Sequence, residues 1–145
     1  MGDARFTVMG PPTGKGRPRA SSFGGRVRLY TDARTAAYED RVAWAAREAF
    51  GSMARLEGPV CVSIVTYRER PAKPARGHES RSGLLCGEHR YCTAKPDADN
   101  VAKSVLDGCN LAGVWRDDVQ VVDLRVLKLW AGEGESPRTE VEVSW

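Results

Sequence analysis

Residues 95–118, KPDADNVAKSVLDGCNLAGVWRDD, constrain the fold of this chain more than any other stretch. Asp97 or Asp99 opens a helix whose apolar stripe is Val101, Val105 and Cys109, and Gly113 is placed to end it. Arg116-Asp117-Asp118 then leads straight into Val119–Trp130, the longest strand signal in the chain, so the segment after the helix must return toward the sheet. Val122, Leu124 and Val126 share one face of that strand while Leu127 and Leu129 continue on the other. This change of phase predicts a bulge or burial on both faces.

The remaining elements arrange themselves around that unit. Arg5–Met9 reads as a short first strand stopped by Gly10-Pro11-Pro12. Residues 14–28 hold five basic side chains, four glycines and no acid, which predicts an exposed, flexible cationic loop. The phosphate-loop pattern is not met there, because Met9 stands where its first glycine belongs and Gly16 follows Lys15. Thr35–Phe50 predicts a helix, with Thr35 as its cap, Tyr38, Val42, Ala45 and Ala49 as its apolar stripe, and Gly51 after its end. Pro59–Tyr67 predicts a second strand, and Thr139, Val141, Val143 and Trp145 alternate as in a last one. Residues 68–95, with seven basic side chains including Lys95, read as a long loop or arm. The expected fold is one α+β domain over residues 1–145, in the order β-α-β-α-β-β, with a mixed sheet flanked by helices and a closing hairpin.

Charge is distributed unevenly. Residues 1–95 carry 17 Lys+Arg against 9 Asp+Glu, and residues 96–145 carry 5 against 10, so balances of +8 and −5 make up the net +3. A basic half beside an acidic half suits a protein that holds a polyanion with one surface and cations with another. No apolar run approaches the ~18 residues that span a bilayer, and the first residues lack the layout of a signal peptide. A cytoplasmic location without membrane contact is expected. In that reducing setting Cys61, Cys86, Cys92 and Cys109 are expected as free thiols, with Cys61 and Cys109 simply packing. Cys86 and Cys92 stand near His78 and His89, but the paired spacing of a structural zinc site is absent.

The acidic residues have ordinary readings when taken singly. An Asp at a helix start satisfies free N–H groups, Asp117 and Asp118 suit a turn, and Lys103 can pair with Asp99 or Asp107 on its own helix face. Together they say more. Two carboxylates two residues apart repel unless a cation intervenes, and several carboxylates converging at one helix end offer the hard oxygen ligands that Mg²⁺ takes.

The run D-A-D-N-V-A-K, followed at a distance by D-D-V-Q-V-V, resembles the RusA family of Holliday junction resolvases, closely over about residues 95–130 and loosely over 5–67. The resemblance implies a small, phage-associated, homodimeric endonuclease. It carries metal binding and catalysis to Asp97, Asp99 and Asp118 and a catalytic role to Lys103, with Asp117 as a weaker metal position. The cofactor implied is Mg²⁺, for which Mn²⁺ can substitute. The arginine found before the first aspartate in family members is replaced here by Pro96, with Lys95 preceding it. On this reading Lys15, Arg17, Arg19, Arg26, Arg28 and Lys95 hold the arms of a four-way junction, with Arg76, Arg81 and Arg90 as further contacts, inside a bacterial host. The rival classes are another branched-DNA or flap nuclease and a non-catalytic DNA-binding module.

Overall fold

The computed structural model describes residues 1–71 and 85–145. Along the chain run β1 (Asp3–Met9), β2 (Arg19–Phe23), β3 (Arg26–Tyr30), α1 (Ala33–Phe50), β4 (Val60–Arg68), β5 (Leu85–Cys86), β6 (His89–Arg90), α2 (Ala98–Ala112), β7 (Val121–Trp130) and β8 (Arg138–Ser144). The main sheet has the order β1-β8-β4-β7, with β8 antiparallel to both β1 and β4 and β7 parallel to β4. Parallel neighbours need a crossover, and α2 supplies it between β4 and β7. The α+β class and the mixed sheet are as expected.

The closing hairpin is not. β8 passes β7 and inserts between β1 and β4, so the last two strands are not neighbours. The link Ala131–Pro137 crosses the end of β4, where the Ala131 N–H donates to the Arg68 carbonyl at 2.8 Å. The irregularity expected within β7 is a register shift opposite Val60 and Cys61 of β4. β7 is an edge strand, and its exposed start, with Val122 and Leu124 among the exposed apolar residues, explains the changed phase better than burial on both faces.

Burial alternates along β1, β4 and β8, so one face of the sheet is covered. Phe6 and Val8, Val60, Val62 and Ile64, and Val141 and Val143 meet Tyr38 and Val42 of α1 and Val101 and Val105 of α2. The Tyr38 and Thr139 hydroxyls, both buried, lie 2.7 Å apart. The helices cross closely at Gly108, where a Cβ would stand 2.5 Å from Val42 Cβ and 3.0 Å from the Glu39 carbonyl oxygen. No residue but glycine fits there without displacing α1.

Several local expectations change. α1 begins at Ala33, and Asp32 is its cap, accepting from the Arg34 N–H at 2.9 Å. Thr35 is buried instead, and its hydroxyl donates to Asp32. Ala49 is exposed, with Ala43 and Ala46 filling the core in its place. Gly113, at φ 73°, ends α2 in the left-handed region as expected. Residues 14–28 are not a loop throughout: β2 and β3 form an antiparallel ribbon turning at Gly24 and Gly25, both at positive φ. Every ribbon residue is exposed, which accords with the expected exposure. Cys61 is exposed rather than packed, and Cys109 is buried; all four cysteines are free. Among the described residues no helix is long and apolar enough to cross a membrane.

Candidate active site

α2 starts with Asp97 as the N-cap residue, yet its side chain makes no capping bond. Its carboxylate faces Lys95 instead, with Nζ at 2.9 and 2.8 Å from its two oxygens. The hydrogen bond from Lys95 holds the Asp97 carboxyl below its usual range. The ordinary reading of this aspartate as a cap therefore fails on geometry. Asp99, one residue into the helix, is exposed and has no hydrogen bond or ion pair among the described residues.

The second acidic pair divides its labour. Residues 118–120 form a single 3-10 turn capped by Asp117, whose side chain accepts from the Val119 N–H at 3.0 Å. Gln120 completes the reciprocal box: its Oε1 accepts from the Arg116 and Asp117 N–H groups, and its Nε2 donates to the Leu56 and Gly58 carbonyls at 3.0 and 2.9 Å. With both partners of the box engaged, Asp118 is free to turn toward α2. There Lys103 Nζ lies 3.0 Å from Asp118 Oδ2 and 3.1 Å from Asp107 Oδ1. The bond to Asp118 is the main influence on the Lys103 ammonium and raises its pKa, against the lowering effect of partial burial. Lys103 thus pairs with Asp107 and Asp118, and Asp118 returns to the helix that carries Asp97 and Asp99.

A cleft of about 420 Å³ opens beside Asp97, with Arg34, Lys95, Arg68, Pro96 and Asn100 among its walls. Its basic rim against an acidic helix start is the charge arrangement that a phosphate strand over bound cations requires. The donor set suits a hard divalent ion: all three candidates are carboxylates, and neither Asp97 nor Asp99 is committed to capping the helix. They are not drawn into a tight cage, and among the described residues no three His, Cys, Asp or Glu side chains stand in metal-binding proximity. Lys95 on Asp97 and Lys103 on Asp118 supply the positive charge that such carboxylates need.

The basic residues fall into two groups. Arg17, Arg19, Arg26 and Arg28 are exposed and free of ion pairs among the described residues. Paired residues of an antiparallel ribbon share a face, so Arg19 with Tyr30, Arg28 with Ser21, and Arg26 with Phe23 form one side of it. Lys15 does not belong with them. Its ammonium is turned inward to Glu39 at 2.5 Å and Asp107 at 2.9 Å, so it is not available as a grip on phosphate. Burial works to lower its pKa, but the bonds to the two carboxylates overcome this and leave it raised.

Arg76, Arg81 and His78 lie outside the described residues. Of their neighbours, His89 Nε2 is 2.9 Å from Glu135 and its ring meets Tyr67 edge-on, while Cys92 is buried. The sequence reading took Asp107 only as an ordinary helix-face partner of Lys103, a pairing the structure shows, and missed Glu39 and Gln120. Gln120 was visible as the third residue after Asp117, the spacing of a capping box. Glu39 lies on a different helix, and nothing in the sequence joins it to Lys15.

Known proteins resemble this chain over part or nearly all of its length. The chain is 34% identical over 139 residues to the uncharacterized protein YqaN of Bacillus subtilis (strain 168), covering 96% of this chain and 94% of that one. It is 34% identical over 74 residues to the crossover junction endodeoxyribonuclease RusA of Enterobacteria phage 82, covering 47% of this chain and 62% of the phage protein. Against RusA of Escherichia coli (strain K12) the match is 47% identical over 38 residues, covering 26% and 32% of the two chains. The family described as endodeoxyribonuclease RusA matches residues 9–144, nearly the whole chain. The chain belongs to the RusA family of endodeoxyribonucleases.

Proposed function

We propose that this protein is a Mg²⁺-dependent Holliday junction resolvase that nicks two strands of a four-way junction symmetrically, acting as a homodimer in the bacterial cytoplasm from a phage or prophage gene. The observation that carries the chemistry is the return of Asp118 to α2, where it meets Lys103 at 3.0 Å although 15 residues separate them in sequence. Asp97, Asp99 and Asp118 would hold the metal, and Asp117, engaged as a cap, would not. A bound divalent ion supplies Lewis acidity toward the phosphoryl oxygen and an acidified water.

The chain's own groups do the rest. The Lys103 ammonium places a fixed positive charge where the phosphoryl group gains negative charge. Lys95 neutralises Asp97 and, with Arg34 and Arg68, lines the cleft through which a phosphate strand would approach. The arginine face of the β2–β3 ribbon holds a duplex arm, with contacts to phosphate that give affinity and salt dependence rather than sequence choice. Two symmetric cuts need two sites about a two-fold axis. The open start of the β7 edge, with Val119, Val122 and Leu124 exposed, is the surface we assign to the second copy.

Labelled four-way junction, flap and linear duplex, each incubated with Mg²⁺ or EDTA, test the reading. Paired nicks confined to the junction and abolished by EDTA are expected. Equal cutting of flap or duplex would assign a broader nuclease, and binding without metal-dependent cutting would assign a non-catalytic module.

A further inference from the structure

We infer that Asp107 is a positioning residue that holds the Lys103 ammonium at the reaction site, an inference that rests on the catalytic reading of Lys103 given above. Five charged groups of alternating sign form a row: Glu39, Lys15, Asp107, Lys103 and Asp118. The successive separations are 2.5, 2.9, 3.1 and 3.0 Å. Asp107 is the middle of the row and uses one oxygen for each lysine, Oδ2 for Lys15 and Oδ1 for Lys103.

The row has a fixed end and a free end. Glu39 is buried on α1, and Lys15 is held through its backbone as well as its side chain. The Lys15 N–H donates to the Asn100 carbonyl at 2.8 Å, and two residues earlier the Thr13 carbonyl accepts from the buried Ser104 hydroxyl at 2.7 Å. Lys103, by contrast, has a side chain 52% exposed on a long flexible stem. An exposed pair with Asp118 alone would hold such a side chain weakly. Asp118 is also needed elsewhere, because a carboxylate drawn to a divalent ion no longer anchors an ammonium. Asp107 has no such second duty. Lys15 keeps its carboxylate in place, and that carboxylate keeps Lys103 within reach of the scissile phosphate when Asp118 turns to the metal.

The plainer role for Asp107 is that of a helix-surface partner of Lys103 at i,i+4, contributing to stability alone. The two roles separate in kinetics. With the protein in excess over a labelled four-way junction in Mg²⁺, Asp107→Asn should slow single-turnover cleavage by about tenfold to a hundredfold, within the span of couplings found inside one charged network. Junction affinity in EDTA should stay within twofold of wild type. Asp107→Glu, which restores the carboxylate, should recover most of the rate. In a Lys103→Gln background Asp107→Asn should cost nothing further.

A rate for Asp107→Asn within twofold of wild type would overturn the inference, as would an equal loss in the Lys103→Gln background. A second readout does not depend on activity. The nitrogen resonance of the Lys103 ammonium, assigned by its loss in Lys103→Gln, should be sharp and slow to exchange in wild type and broadened in Asp107→Asn. An unchanged resonance would also overturn the inference. Wild-type protein that fails to cut the junction sinks the functional reading, and the resonance still decides the position of Lys103.

Discussion

The start of α2 and the β2–β3 ribbon are two charged regions of this molecule that are organised in opposite ways. Around α2, Asp97, Asp107, Asp118, Lys95 and Lys103 all stand in ion pairs, and Lys15 ties the group to a buried glutamate on α1. Along the ribbon, Arg19, Arg26 and Arg28 have no such partner among the described residues, and all ten residues of its strands are exposed. On the proposed function, the difference follows from what each region would recognise. Bond cleavage needs charge held within fractions of an ångström before the substrate arrives. Binding a polyanion needs only charge density, because released counterions contribute most of the affinity whatever the rotamer.

The largest expected effect belongs to the ordered region. Asp97→Asn and Asp118→Asn should each bring junction cleavage below detection while leaving junction affinity in EDTA close to wild type. Lys103→Ala should retain a residue of activity, slower by ~10² to 10³, in the range found for removing one preorganised electrostatic group. Full-rate cutting by Asp118→Asn would mean that the return of Asp118 to α2 is structural only.

The ribbon should behave in the reverse way. Arg19, Arg26 and Arg28 changed together to Ala should weaken binding to junction and duplex alike. If all three touch phosphate, the slope of log affinity against log salt should fall by about 3, close to one per contact. At saturating protein the cleavage rate should change little. A rate loss at saturation would show that the ribbon shapes the site as well as gripping the arms. Lys15→Ala should not follow this pattern, because its ammonium faces Glu39 and Asp107.

Beneath the ordered region the two helices make a close contact at Gly108. Gly108→Ala would press a methyl group onto Val42 and the Glu39 backbone, forcing α1 and α2 apart. Overpacking of this kind costs about 1 to 3 kcal/mol, readable as a lowered urea midpoint. Because α1 carries Glu39 and α2 carries Asp107, the same change should slow cleavage. A stability loss with no kinetic consequence would show that the charged row tolerates a shift between the helices.

How legible each region is in the sequence follows the same division. D-x-D-N-x-x-K and D-D-x-Q are short-range patterns, with residues one helical turn or one tight turn apart, so local geometry delivers them. Gly24-Gly25 between alternating residues is likewise the signal of a two-residue hairpin, although glycine and arginine content masks it as loop. What cannot be read locally is pairing across the chain. β8 enters between β1 and β4 because its alternating face matches both, and no spacing along the sequence expresses that match. Lys15 reads as one more cation of a basic segment, and its inward turn is set by Glu39, 24 residues away, and by Asp107 on another helix. The features without any local signal are therefore tertiary, and they are the ones that convert a run of charges into an ordered site.

The smallest expected effect lies where the two regions join. Asp32 caps α1 immediately after the ribbon ends at Tyr30, and the Arg34 N–H, with further help from the Thr35 hydroxyl and the charge of Arg19, lowers its pKa. A carboxyl whose folded pKa lies below its unfolded value contributes stability above the unfolded value, and that contribution disappears as pH falls through the folded one. Asp32→Ala should therefore lower the urea midpoint at pH 7, and the gap to wild type should narrow as pH falls below the ordinary aspartate range. Asp32→Asn, which still accepts the Arg34 N–H but carries no charge, should lie between the two at pH 7. Arg19→Ala should shift the closing of the gap slightly toward higher pH, since it removes one cation acting on Asp32. A gap independent of pH would mean that Asp32 acts through its hydrogen bonds alone and that the charge of the ribbon does not reach the helix it precedes.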